Sequence, residues 1–172
     1  MVELSKQQLI ELLHAINNRL KVKEIKGEVG LYGGAVMCVA LNARLSTHDI
    51  DAIFNPKYDV RQAAKEVGLE YGLQDGWFND AVKGFISAKN ELLLFEQLSN
   101  LTIYVASPRY MFAMKVLSLR LDNENEINDI KFLIDFLELK SVVQAESIIY
   151  EFYPPNRVLP KTFYFLEEFL GG

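Results

Sequence analysis

A single cysteine, Cys38, set in an apolar run, excludes a disulfide framework and suits a reducing compartment. The five prolines and ten glycines are too sparse to mark a long linker, and neither a low-complexity tract nor a fixed-period repeat occurs. Long apolar runs are missing as well. The N-terminal "MVELSKQQLIELLHAI" carries charges throughout, unlike a signal peptide or a membrane span, so a soluble cytoplasmic protein without a membrane partner is expected. Basic residues are not in excess: 18 Lys and Arg face 23 Asp and Glu, for a net charge of −5. That balance argues against a broad basic face for nucleic acid and leaves room for a local patch. A Gly-x-x-x-x-Gly-Lys loop is absent, which disfavours a P-loop hydrolase or kinase.

Half of the 172 residues are apolar and 12% are aromatic, enough to bury a real core at the size of about one domain. Apolar residues at Leu9, Ile10, Leu12, Leu13, Ile16 and Leu20 predict a helix over Leu4 to Leu20. "EVGLY" reads as a strand into a Gly33-Gly34 turn, "AVMCVALN" as a helix beginning near Ala35, and "DIDAIF" as a second strand. Tyr58 to Leu69 predicts a helix, "GWFNDAVKGFI" a loop with a short helix, and "ELLLFEQL" with "LTIYVA" an antiparallel pair. Ser107 as a cap with Pro108 at the first helical position opens a helical part. Further helices are expected at about Glu126 to Leu139, Val142 to Phe152 and Lys161 to Leu170. The pattern predicts an α+β (α/β) fold: a small mixed β-sheet core over residues 1–106 and a helical C-terminal subdomain over 107–172, packed on that core.

Within this layout, one acidic pair stands out. On a strand, Asp49 and Asp51 project to one face while Ile50 goes to the other. Like charges so close raise each other's proton affinity unless a cation sits between them. Magnesium, or manganese in its place, prefers hard oxygen ligands and is held by one or two carboxylates plus substrate phosphates. Gly33 and Gly34 allow close approach of a ligand to the backbone, and the helix after them offers amides to phosphate oxygens.

Gly33-Gly34 before a helix, followed by Ser46-Thr47-x-Asp49-x-Asp51, resembles the signature of the nucleotidyltransferase superfamily that includes DNA polymerase beta. "SPRYMFAMKVLSLRLDNENEINDIKFLIDFL", with Lys115, Arg120 and Asp129, is similar to the helical segment of a minimal prokaryotic branch related to the abortive-infection toxin nucleotidyltransferases. "DGWFNDAVKGF" resembles a motif of small members of that branch. The resemblance spans Val29 to Leu137. It implies an enzyme that moves a nucleotidyl group from a nucleoside triphosphate to an acceptor hydroxyl and releases pyrophosphate. It implies further that Asp49 and Asp51 hold the metal, that Ser46 or Thr47 hydrogen-bonds the triphosphate, and that Lys115 and Arg120 offset its charge, with Asp129 orienting one of them. The resemblance leaves the acceptor open among an RNA end, a protein and a small molecule, and an antitoxin protein is the partner expected of a toxin in this branch.

The family pattern adds a third carboxylate from a neighbouring strand, and "LTIYVA" has none. Glu96 and Asp80 are the nearest substitutes. The alternative reading is therefore a catalytically weak nucleotide-binding or partner-binding module that keeps the fold. Among the remaining residues, His14 is expected at a surface or boundary, His48 pointing away from the aspartates, and Cys38 in the core. Trp77 and Phe78 are candidates for base stacking or for core packing, and Asn79 joins Asp80 as a candidate site residue. Lys83, Lys89 and Arg109 are the candidates for a small basic patch that would hold a tRNA end.

Overall fold

In the computed structural model, which describes residues 2–171, the first helix α1 runs Lys6–Val22 behind a capping box. The Ser5 hydroxyl accepts from the Gln8 backbone N–H, and the Ser5 N–H donates to Gln8 Oε1. The predicted stripe of Leu9, Leu12, Leu13, Ile16 and Leu20 is buried, each side chain contributing about 1.5–3 kcal/mol relative to exposure. Leu4 and Ser5, expected inside the helix, instead form β1. They pair antiparallel with β3 (Ser46–Thr47), Leu4 opposite Thr47 and Ser5 opposite Ser46.

The main sheet has five strands: β2 (Gly27–Tyr32), β4 (Ile50–Asn55), β5 (Phe78–Asn79), β6 (Leu92–Gln97) and β7 (Leu101–Ala106), in the order β5-β4-β2-β7-β6. β2 runs antiparallel to β4 and parallel to β7, β4 is parallel to β5, and β6 is antiparallel to β7. The sheet is therefore mixed. Its inner face follows the period of two: Ile50, Ala52 and Phe54 are buried, and Asp51 and Ile53 face the other way. α3 (Lys57–Glu70) packs against α1, β4 and β5, and α1 also meets β7 and α2 (Gly33–Val39). Trp77 belongs to this core rather than to a base-stacking surface. It is 6% exposed, and its indole donates to the Ala64 carbonyl at 3.1 Å. Gly68 makes room for it, since a Cβ there would lie 2.5 Å from the indole nitrogen. Phe78 rests on Phe54 with ring centroids 4.9 Å apart.

The chain divides into two compact units, residues 1–84 with 92–106 and residues 85–91 with 107–172. The second unit opens at Ser107, where the pattern changed in the sequence, and it also recruits 85–91 from the middle of the predicted core. Hydrogen bonds to partners farther along the chain draw it in: the Ser87 N–H donates to the Tyr110 hydroxyl at 2.8 Å, and the Ser107 N–H donates to the Glu91 carbonyl at 3.0 Å. This unit contains α4 (Pro108–Leu117), α5 (Glu124–Phe136), α6 (Val142–Phe152) and α7 (Pro160–Leu170). Ser107, Asn123 and Ser141 cap the first three, each side chain accepting a backbone N–H. Tyr110 of α4 stacks on Phe152 of α6 at 4.9 Å. With seven α-helices, a mixed five-stranded sheet and a two-stranded sheet among the described residues, the fold is α+β. None of these helices is long and apolar enough to cross a membrane.

Candidate functional site

Where β2 ends at Tyr32, the chain turns through Gly33 with φ +62°. Only glycine adopts that conformation without cost, and a second constraint applies as well. A Cβ on Gly33 would lie 2.6 Å from Asp51 Oδ2. One on Gly34 would lie 2.6 Å from Thr47 Oγ and 2.9 Å from Arg44 Nη1. The turn is thus packed against a carboxylate at Gly33 and against a hydroxyl and a guanidinium at Gly34. α2 begins at Gly33 rather than near Ala35, and its residues Ala35 to Val39 are all buried. Cys38 is among them; burial pushes its thiol pKa up, which opposes any role as a nucleophile.

Asp51 lies on β4, opposite Tyr32 of β2 and beside Asn79 of β5. Asp49 does not share the strand, as the sequence pattern predicted, but precedes its first residue, Ile50. Asn79 nevertheless links the two acids. Its backbone is in register with Asp51, and its side-chain amide donates to Asp49 Oδ2 at 3.4 Å. Both aspartates are half-buried. β3, held by β1, sets the approach to Asp49: Thr47 is buried against the glycine turn, while the Ser46 hydroxyl donates to Glu3 at 2.9 Å. His48 is exposed and reaches Glu3 at 3.7 Å. Beside Asp49 a cleft of about 340 Å3 is lined in part by His48, Leu73, Gln74, Gly76 and Trp77. That volume falls within the range of small-molecule sites. A shallower depression of about 660 Å3 on the outer side of α1 includes neither aspartate in its lining.

The other candidates are engaged elsewhere. Glu96 accepts from, or pairs with, His14 Nε2 at 2.8 Å. Asp80 is surrounded by Arg61, Lys57 and Lys83 at 2.9, 3.1 and 3.8 Å. The hydrogen bond from Lys57 and the charges of Lys83 and Arg61 hold its carboxyl below the usual carboxylate range, against the opposing effect of burial. In the second unit Lys115 pairs with Asp129 at 2.7 Å, both side chains nearly buried at 12% and 4% exposure. Arg120 binds Glu126 at 2.8 Å rather than Asp129. Lys89 and Arg109 both bind Glu151, and Lys83 lies 3.8 Å from Asp80.

The third carboxylate has no counterpart on β7. Tyr32 stands opposite Asp51, and Val105 stands beside Leu31, which brings Ala106 into the row of Tyr32 and Asp51. Among the described residues no group of three or more His, Cys, Asp and Glu side chains gathers for a metal. Two carboxylates fit one hard cation whose remaining positions go to phosphate oxygens and water, as magnesium prefers, but not a cage built wholly by protein. Arg44 escaped the sequence reading because nothing in its spacing predicts that the loop after α2 folds back over Gly34. The chain matches no protein-family model, no curated protein and no solved structure.

Proposed function

We propose that this chain is a magnesium-dependent nucleotidyltransferase that binds a nucleoside triphosphate at the edge formed by Gly33, Gly34, Thr47, Asp49 and Asp51. The observation that carries the reading is the seat of the Gly33-Gly34 turn, with the Asp51 carboxylate close against Gly33 and Thr47 and Arg44 close against Gly34. Anionic phosphates need donors and positive charge, and a divalent cation needs anionic oxygen. Both requirements are met within a few ångströms there. In the reaction, an acceptor hydroxyl oxygen bonds to the α-phosphorus and the α–β bridging bond breaks. Pyrophosphate leaves, and the hydroxyl proton passes to solvent.

The carboxylates of Asp49 and Asp51 would hold the magnesium, and Asn79 would keep Asp49 oriented through its amide. Bound there, magnesium supplies charge neutralisation on the phosphates and alignment of the reacting oxygens. Thr47 Oγ and the turn's backbone would position the phosphate tail. Arg44 takes over the charge-offsetting role expected of Lys115, whose ammonium is committed to Asp129. A reducing, cytoplasmic setting agrees with the buried free Cys38. A toxin role with an antitoxin partner remains part of the proposal, tested by growth arrest on expression that co-expression of a neighbouring gene relieves.

Ala106 in the row of Asp51 favours a second reading, a catalytically weak module that binds nucleotide or a partner without transfer. Calorimetric titration of the four ribonucleoside triphosphates, with magnesium, into wild type and Asp49→Asn/Asp51→Asn tests the site. Magnesium-dependent binding lost in the variant supports it. Equal heats for two folded proteins would overturn it, and binding without transfer to any acceptor would favour the second reading.

A further inference from the structure

Around Asp80 the charges do not balance. Arg61 Nη2, Lys57 Nζ and Lys83 Nζ share its Oδ2 at 2.9, 3.1 and 3.8 Å, so one carboxylate faces three cations and two positive charges are left over. Other ion-pair clusters lie closer to neutrality. Arg19 and Lys23 meet Glu66 and Glu70, and Lys89 and Arg109 share Glu151. The excess charge also faces solvent: the side chains of Lys57, Arg61 and Lys83 are 57%, 53% and 64% exposed. Asp59 does not cancel it, because it lies two residues from Lys57 and from Arg61 on α3, and residues at that spacing diverge.

An aromatic side chain stands with these cations. Tyr58 is 77% exposed and lies three residues before Arg61, on the same helical face. Arg61 is itself steadied by the Phe54 ring, 5.5 Å from its guanidinium carbon. Cations beside an exposed ring match the chemistry of an unpaired strand, whose phosphates meet the charges and whose base stacks on the ring. A duplex would offer the phosphates without a free base.

We propose that Lys57, Arg61, Lys83 and Tyr58 form a binding face for single-stranded nucleic acid. The face continues into the candidate site through β5, since Asp80 follows Asn79, which is registered beside Asp51 and bonded to Asp49. A strand held here is the acceptor of the transfer; that assignment rests on the nucleotidyltransferase reading, while the binding face stands without it.

The test is fluorescence anisotropy of a short labelled single-stranded RNA titrated with the full chain at several salt concentrations. Lys57→Gln/Lys83→Gln should lower the steepness of log affinity against log salt by about 1.4, from roughly 0.7 per phosphate contact. Lys57→Arg/Lys83→Arg should restore it, which separates charge from misfolding. Tyr58→Ala should weaken binding about tenfold at unchanged salt dependence, the scale of one lost base stack. Lys21→Gln/Lys26→Gln, the same charge change on α1 and just ahead of β2, should change nothing. No RNA binding at low salt, equal loss in both lysine pairs, or tighter binding of duplex RNA than of the single strand would overturn the proposal. Asp49→Asn/Asp51→Asn should keep RNA binding, so failure of nucleotide binding and failure of this face are read separately.

Discussion

Asp80 and Asp129 are both acids that a sequence reader would nominate for a site, and both carry salt bridges, yet they stand in opposite settings. Asp129 is 4% exposed and pairs with the Lys115 ammonium in the interior of a helical unit. Asp80 is 19% exposed and faces three cations at the edge of the sheet. A buried pair exposes little charge to a ligand, whereas an exposed cluster of three cations on one carboxylate leaves charge available to one. Asp49 represents a third setting, with the neutral amide of Asn79 as a partner, and such a carboxylate keeps oxygen lone pairs for a cation. The type of residue does not distinguish these cases; the neighbours do.

Breaking the buried pair should give the largest stability effect. Asp129→Ala strands the Lys115 ammonium in the interior and is expected to cost about 3–5 kcal/mol, whereas Lys115→Met/Asp129→Leu should come out near neutral. Urea unfolding of both checks this, and an unchanged nucleotide affinity in the double variant would mark Lys115 as structural. Gly33→Ala ranks next. The left-handed backbone costs about 1–2 kcal/mol for a non-glycine residue, and the added Cβ also displaces the Asp51 carboxylate. Thermal unfolding should fall by about 2–4 °C for each kcal/mol, together with weaker magnesium-dependent nucleotide binding.

The smallest effect belongs to Asp80→Asn, about 1 kcal/mol or less at neutral pH, as for other exposed pairs. Its sign with pH is definite. The folded carboxyl is held below its unfolded value, so its contribution is complete above the ordinary carboxylate range and disappears as pH falls through the lowered value. Urea midpoints of wild type and variant should therefore differ at neutral pH and converge in acid. The same variant removes the cluster's single negative charge and should tighten RNA binding.

Much of this was legible in the sequence because it is local. Helical spacing, the Ser107 cap and Pro108 located α1, α3 and the four C-terminal helices to within a few residues. The glycine turn and the two acids could be read for the same reason: each depends on backbone conformation over a few residues. The rest depends on partners distant in the chain. Residues 85–91 join the second unit through Tyr110 and Ser107, β1 forms only because β3 returns beside it, and Arg44 meets Gly34 only after a loop closes. Trp77 likewise could not be assigned to the core from its loop-like surroundings, because its partners, Ala64 and Gly68, lie on α3.

Hydrogen–deuterium exchange with and without magnesium and a nucleoside triphosphate tests the central claim most directly. The account predicts added protection over residues 30–34 and 46–52, lost in Asp49→Asn/Asp51→Asn. Protection confined to other segments, or equally strong in that variant, would contradict it.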